Sequence, residues 1–175
     1  MGCACGAQEK TNHKFSSLKS QLKHMGYRLR EMKSDGNCLF RAISHQLEND
    51  EGNHAYYRKE ACDYIKANQD YFKPFIEDET TFEDYVHRMS FNGIWGGNLE
   101  LYAIAMRFEI EIHIHILNQP VYIIKKGSNP KKVINLGFLD KEHYNSVVKI
   151  ESNSGNKVDR IEVHQLDIWM LYIME

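Results

Sequence analysis

The fold class follows from residues 98–116, NLELYAIAMRFEIEIHIHI, in which the spacing of the hydrophobic residues changes partway along. The first part has apolar side chains three and four residues apart, which is the spacing of a helix. The second part alternates isoleucine with charged residues and histidine, which is the two-residue period of a half-buried strand. The helical positions are Leu101, Ile104, Ala105 and Phe108, and the strand positions are Ile110, Ile112, Ile114 and Ile116. We therefore predict a helix over Asn98–Phe108 and a strand over Ile110–Ile116.

Upstream of this stretch the pattern is mainly helical, and downstream it is mainly that of strands. The helix predicted to begin at Thr80 has capping-box spacing between Thr80 and Glu83. The predicted upstream helices are His13–Met25, Cys38–Leu47, His54–Ala67 and Thr80–Met89. The other predicted strands are Tyr27–Met32, Val121–Ile124, Lys132–Gly137 and Tyr144–Ile150. This order predicts an α+β fold in which helices pack on a small, mainly antiparallel sheet.

The composition is that of one ordinary globular domain. The chain has 175 residues, with 22 Lys+Arg against 24 Asp+Glu and a formal net charge of −2. This balance argues against a strongly basic nucleic-acid-binding protein. No stretch approaches the roughly 18 apolar residues of a membrane helix, and we find no signal-peptide core. With only four cysteines, a disulfide scaffold is not expected. We expect a cytoplasmic monomer with no nucleic-acid partner.

The two terminal segments carry separate expectations. Residues 1–12 have no periodic pattern and are expected to be flexible. Gly2 could be myristoylated and Cys3 and Cys5 palmitoylated, although position 6 is not the Ser or Thr of the motif. Membrane association is therefore expected only if these residues are acylated. Residues 151–175 end in an apolar run and are expected to pack on the domain or on a partner.

Cys38 is the candidate nucleophile. It follows the turn Asp35-Gly36-Asn37 and opens a predicted helix. The positive end of the helix dipole favours the thiolate there, and free N–H groups of the turn can stabilise an oxyanion. The alternative is that Cys38 is simply a small buried residue, which is the commoner role of cysteine.

His143 is the candidate general base. It lies at the start of the last predicted strand, where it shares a face with Asn145 because side chains repeat every two residues. Asn145 would then hold the imidazole in its working orientation, as the third group of a catalytic triad does. The alternative is that His143, one of nine histidines, is an ordinary surface residue.

Other patterns have two interpretations each. Trp95-Gly96-Gly97 precedes a predicted helix, and glycines there would let a second chain approach closely. The alternative is a plain turn with Trp95 in the core. His113 and His115 share one face of their strand and could bind a metal ion. No third ligand is identifiable, so we expect a solvated face and no metal site.

Three blocks of sequence, in this order, resemble the ovarian tumour (OTU) family of cysteine proteases. The blocks are Asp35–Ala42 (DGNCLFRA), Trp95–Leu101 (WGGNLEL) and Glu142–Val147 (EHYNSV). The resemblance covers about residues 22–150 and implies a papain-like cysteine protease fold. It also implies that residues 13–150 form the catalytic domain. Most members of the family are deubiquitinases, so ubiquitin, polyubiquitin chains and ubiquitinated proteins are the implied partners.

The resemblance implies a role for each matching residue. Cys38 corresponds to the nucleophile, His143 to the general base and Asn145 to the third catalytic group. The backbone of Asp35, Gly36, Asn37 and Cys38 would form the oxyanion hole. The implied substrate-binding residues are Trp95, Gly96, Gly97, Asn98, Glu142 and Tyr144. No cofactor or metal is implied. Two alternatives remain, a non-catalytic ubiquitin-binding module and a membrane-tethered adaptor.

Overall fold

The structure is a computed structural model that describes residues 5–76, 81–150 and 163–165. The helices are α1 (Cys5–His24), α2 (Cys38–Glu48), α3 (His54–Ala67), α4 (Gln69–Phe72), α5 (Phe82–Met89) and α6 (Asn98–Phe108), and Lys73–Phe75 is a 3₁₀ turn. The strands are β1 (Tyr27–Arg30), β2 (Ile110–Ile116), β3 (Val121–Ile124), β4 (Lys132–Leu139), β5 (His143–Lys149) and β6 (Val163–Gln165). No helix within these ranges is long and apolar enough to cross a membrane.

The strands form one sheet in the order β1-β5-β4-β2-β3-β6. The pairs β1–β5, β5–β4 and β2–β3 are antiparallel, which confirms an α+β fold with a mostly antiparallel sheet. The pairs β2–β4 and β3–β6 are parallel, however, and the local patterns did not predict this. The chain reverses between β2 and β3 and again between β3 and β4. As a result, β4 runs in the direction of β2 and pairs beside it.

One face of the sheet carries the main hydrophobic core. The isoleucines of β2 point to this face, where they meet α2, α3 and α6. Phe40, Phe72 and Leu101 are completely buried between these elements. This packing fixes α2, which begins with Cys38, against β5, which begins with His143. The two candidate catalytic residues therefore stand on rigid elements.

The opposite face is covered in part by α1, and this corrects one expectation. Leu18 and Leu22 of α1 form a second, smaller core with side chains from β1, β4 and β5. His115 lies on this face but is only 3% exposed, and its Nε2 lies 2.9 Å from Oδ1 of Asn135. The expected solvated face is therefore wrong at His115, whose ring also lies 5.6 Å from the ring of Tyr27.

Two of the shifts in the predicted boundaries change an expectation, whereas other ends, including those of β1, α2, β4 and β5, shift by only one or two residues. The first helix begins at Cys5 rather than His13, so residues 5–12 of the segment expected to be flexible are helical. Gly2 and Cys3 lie outside the described residues. The capping box of α5 joins Thr81 to Asp84, one residue later than predicted. Thr80 and Thr81 each precede an acidic residue by three positions, so either could cap the helix. Burial of Phe82 favours a helix that starts after Thr81. Of residues 151–175, only Val163–Gln165 is described, so the expected packing of this segment stays a prediction.

Candidate active site

Cys38 is the first residue of α2, as its position after a glycine turn predicts. Asn37 is the N-cap residue, and Gly36 adopts φ +77°, which a residue with a side chain rarely adopts. The turn therefore delivers Cys38 to the helix N-terminus, where the dipole favours a thiolate. The side chain is mostly buried but lines a surface cavity.

His143 and Asn145 lie next to each other on one face of β5, beside the segment that follows β1. Oδ1 of Asn145 accepts a hydrogen bond of 2.8 Å from the backbone N–H of Met32. Nδ1 of His143 lies 3.4 Å from Oγ of Ser34. The segment after β1 therefore holds Asn145 in place, and Asn145 is completely buried beside the imidazole.

The side chains of Cys38 and His143 form a hydrogen bond, although 105 residues separate them in sequence. Burial opposes ionisation of Cys38, but hydrogen bonds from His143 and from the N–H groups of Tyr144 and Leu39 lower the pKa of the thiol overall. The same contact with Cys38 raises the pKa of His143, although burial opposes this. Both shifts favour a thiolate–imidazolium pair.

A side chain of α2 fixes residues 34–37, which we call the nucleophile loop. Arg41 contacts both carboxylate oxygens of Asp35, with Nη2 to Oδ2 at 2.6 Å. The hydrogen bond with Arg41 therefore lowers the pKa of Asp35. Oδ1 of Asp35 also accepts from the backbone N–H of Asn37 at 3.1 Å. That N–H is therefore engaged within the loop, and the contribution of the Asn37 backbone to an oxyanion hole stays a prediction. Backbone donors at Asp35, Gly36 and Cys38 stay a prediction.

A second loop, residues 90–97 between α5 and α6, packs directly on the nucleophile loop. We call it the cleft loop. A side chain added at Gly36 would overlap the backbone of Gly93. Oδ1 of Asn37 accepts from the backbone N–H of Gly93 at 3.0 Å. The two loops therefore fit together through glycine backbones and a buried amide, rather than through flexible side chains.

The cleft loop borders a cavity of about 420 Å³. All six predicted substrate-binding residues line it, namely Trp95, Gly96, Gly97, Asn98, Glu142 and Tyr144. Its floor is apolar and includes Ile114, Tyr122 and Phe138. Trp95 is 58% exposed, which decides against the alternative that it is a core residue. Tyr144 is itself buried and stacks on Phe138, so it forms part of the wall rather than a projecting contact.

A second cavity of about 380 Å³ contains Cys38 and His143. Trp95 and Glu142 line both cavities, so the two adjoin at these residues. We call the two adjoining cavities together the channel. Cys38, the nucleophile, and His143, its base, line the second cavity, next to the point where the two cavities meet.

The structure also places the cysteine predicted to be unreactive and the two histidines predicted not to bind a metal ion. Cys62 is buried in α3, and burial raises the pKa of its thiol to about 12, which is consistent with a core cysteine. Within the part of the chain that the structure describes, no three His, Cys, Asp or Glu side chains are grouped to hold a metal ion. The imidazole of His113 pairs with Glu111 on its own strand.

Sequence reasoning missed several residues that support the site. Met32 contributes only its backbone, so no residue pattern could mark it. Arg41 belongs to the first sequence block, and its position six residues after Asp35, across a helix start, was a signal that could have identified this ion pair. Arg58, on α3, is a charged residue with 3% exposure that contacts both loops. Its position between apolar helix residues gave no sign of this.

Comparison with known proteins agrees with the geometry. A family model described as OTU-like cysteine protease matches residues 33–154. OVARIAN TUMOR DOMAIN-containing deubiquitinating enzyme 7 of Arabidopsis thaliana is 40% identical over 142 residues, which are 81% of this chain and 38% of that protein. OTU domain-containing protein 3 of Mus musculus is 39% identical over 143 residues, covering 80% and 36%. The layout of the three sequence blocks most resembles the branch that includes the latter protein. The chain spans little more than a third of the length of these relatives.

Solved structures show the same fold. The structure of the OTUD1 OTU domain matches with a TM-score of 0.73 at 24% identity, covering 82% of this chain and 99% of that one. A structure of an ovarian tumour domain in complex with ubiquitin matches with a TM-score of 0.59 at 19% identity, covering 69% of each chain. The family model includes Cys38, His143 and both loops that border the cleft. The chain therefore belongs to the OTU-like cysteine protease family.

Proposed function

We propose that the protein is a cysteine-type deubiquitinase that cleaves the isopeptide bond after the C-terminal glycine of ubiquitin. The observation that carries this proposal is the hydrogen-bonded pair of Cys38 and His143 at the edge of a channel bordered by glycines. Similarity to a deubiquitinating enzyme at 40% identity supports it, as does the likeness in fold to an ovarian tumour domain in complex with ubiquitin.

The reaction uses the pair as nucleophile and acid. The Cys38 thiolate attacks the carbonyl carbon of the last ubiquitin glycine, and the carbonyl oxygen becomes an oxyanion. Backbone N–H groups of Asp35, Gly36 or Cys38 stabilise that oxyanion. His143 gives its proton to the lysine amine as the C–N bond breaks, which leaves a thioester on Cys38. His143 then takes a proton from water, which attacks the thioester and releases ubiquitin with a free carboxylate.

The shape of the channel accounts for the preference for ubiquitin. Ubiquitin ends in Gly-Gly, and residues without side chains fit a channel whose own wall is made by Gly96 and Gly97. Gly96 itself packs directly on the core, because an added Cβ would lie 2.9 Å from Leu39 and 3.0 Å from Phe40, both of which are buried.

Turnover of a fluorogenic amide at the ubiquitin C-terminus, and of lysine-linked diubiquitin, tests the proposal. We expect hydrolysis of both by the wild-type protein and none by Cys38→Ala. Cys62→Ala is the matched control, because it removes the other buried cysteine without touching the site. Circular dichroism should show that both variants fold. Equal hydrolysis by wild type and Cys38→Ala would exclude Cys38 as the nucleophile, and no hydrolysis by a folded wild type would exclude the activity.

A further inference from the structure

Arg58 is a buried cation whose contacts are concentrated on the active-site loops. Its side chain projects from α3 and is 3% exposed. Nη2 lies 3.2 Å from the carbonyl oxygen of Gly36 and 2.9 Å from Oδ1 of Asn37, both in the nucleophile loop. The same nitrogen lies 2.6 Å from the carbonyl oxygen of Ile94 in the cleft loop. One guanidinium group therefore joins both loops.

Further contacts fix the orientation of the guanidinium plane. Nη1 donates to the carbonyl oxygen of Met89 at 3.0 Å, at the end of α5 where the cleft loop begins. The ring of Phe40 lies 4.3 Å from the guanidinium carbon and faces the charge. A planar fork with several fixed donors holds neighbouring groups in a defined geometry, which a lysine ammonium does not do.

Stability alone does not explain a cation in this position. Removing a charge from water is costly, and well-packed apolar residues often match or exceed the stability of a buried charged group. The acceptors of Arg58 are mainly backbone carbonyls that would otherwise need other partners in a buried site. The guanidinium group instead fixes the spacing between the two loops that border the channel.

We propose that Arg58 is a positioning residue that holds the oxyanion-binding backbone of the nucleophile loop in register with the cleft loop. This inference rests on the proposed function, since it concerns the same reaction. Attack on the ubiquitin carbonyl needs N–H donors at the nucleophile loop and a substrate carbonyl held by the cleft loop. If either loop moves by about 1 Å, rates fall by about 100-fold.

Alkylation of Cys38 by iodoacetamide separates this role from a general effect on the thiol. Alkylation needs the thiolate but forms no oxyanion, whereas hydrolysis of a ubiquitin amide needs both. Loss of a loop-positioning residue should therefore reduce hydrolysis and leave alkylation nearly unchanged. Loss of folding would reduce hydrolysis but expose Cys38 to faster alkylation, whereas displacement or burial of the thiol would reduce both reactions.

The test compares wild type with Arg58→Lys and Arg58→Gln, with Tyr57→Phe as the control. Tyr57 is the neighbouring residue on α3, and its hydroxyl donates to Glu48 at 2.6 Å, away from both loops. The measurements are kcat and KM for a fluorogenic ubiquitin amide, the plateau rate of Cys38 alkylation at high pH by intact mass, and the Tm. Arg58→Lys keeps the charge and loses the fork, so it also shows whether geometry or charge matters.

We expect both Arg58 variants to lose about 10- to 100-fold in kcat, with plateau alkylation rates within about threefold of wild type. Tyr57→Phe should lose stability with little change in kcat. Unchanged kcat in the Arg58 variants would overturn the role of Arg58 and leave the proposed function intact. A parallel fall in alkylation and hydrolysis would also overturn it, as a structural effect. No hydrolysis by the wild type would overturn the proposed function itself, and with it the role assigned to Arg58.

Discussion

Gly36→Ala is the substitution that most sharply tests the contact between the two loops. Gly36 has φ +77°, where a side chain costs about 1–2 kcal/mol. Its added Cβ would also lie 2.5 Å from the carbonyl carbon and 2.9 Å from Cα of Gly93, whereas real Cβ contacts below 3.0 Å are essentially never found. Relieving that overlap requires the loops to separate by roughly 1 Å and adds about 1–3 kcal/mol.

The expected result is a loss of about 2–5 kcal/mol in the free energy of unfolding and about 100-fold in kcat. Gly127→Ala is the matched control, because Gly127 also has positive φ, at +70°, but an added Cβ there meets nothing within 4 Å. It should lose only about 1–2 kcal/mol and keep full activity. Urea denaturation and turnover of the fluorogenic ubiquitin amide measure both quantities. If Gly36→Ala matches Gly127→Ala in both, the inferred contact between the loops is wrong.

Three further predictions concern the catalytic pair and the fold. Asn145→Ala should lower kcat about 10–100-fold, and His143→Ala should lower it more. Asn145→Asp should keep activity and raise the pKa of His143. Equal total loss of activity in the two alanine variants would mean that Asn145 does more than orient the imidazole. The pH at which the alkylation rate of Cys38 is half its maximum should lie below the ordinary thiol pKa of 9.0, because the neighbouring imidazolium stabilises the thiolate. The rate should fall as the pH falls through that midpoint. A midpoint pH at or above 9.0 would contradict the ion pair. Thr81→Ala should cost about 1 kcal/mol of unfolding free energy in urea and leave kcat unchanged, because it removes the cap of α5; unchanged stability would show that the cap contributes nothing.

The sequence predicts the elements that carry strong periodicity or a sharp turn. The bounds of α3, α6, β2 and β3 agree with the predicted ranges, because their apolar spacing is unambiguous. Cys38 begins α2 as expected, because the glycine turn is followed directly by apolar residues at helical spacing. These local signals place the nucleophile and the base on their elements but do not bring them together.

What the sequence does not predict depends on tertiary packing. The parallel pairing of β2 and β4 follows from how the connections cross the sheet, which no local pattern records. His115 is buried, and its contacts are with the ring of Tyr27 and the amide of Asn135, both distant from it in sequence. Arg58 lies at helical spacing from the apolar residues Ala61 and Cys62, but its contacts with both loops exist only once α3 packs against them. The hydrogen bond from the Asn37 N–H to the Asp35 carboxylate is a further contact that no sequence pattern marks.

The most direct test of the central claim uses ubiquitin that carries a cysteine-reactive electrophile at its C-terminus. It is mixed separately with wild type, Cys38→Ala and Cys62→Ala, and the intact masses are read. We predict a one-to-one adduct on wild type and on Cys62→Ala, with none on Cys38→Ala, because Cys38 is the cysteine that lines the channel among those whose side chains the structure describes. An adduct on Cys38→Ala, or no adduct on a folded wild type, would contradict the assignment of Cys38 as a nucleophile that acts on ubiquitin.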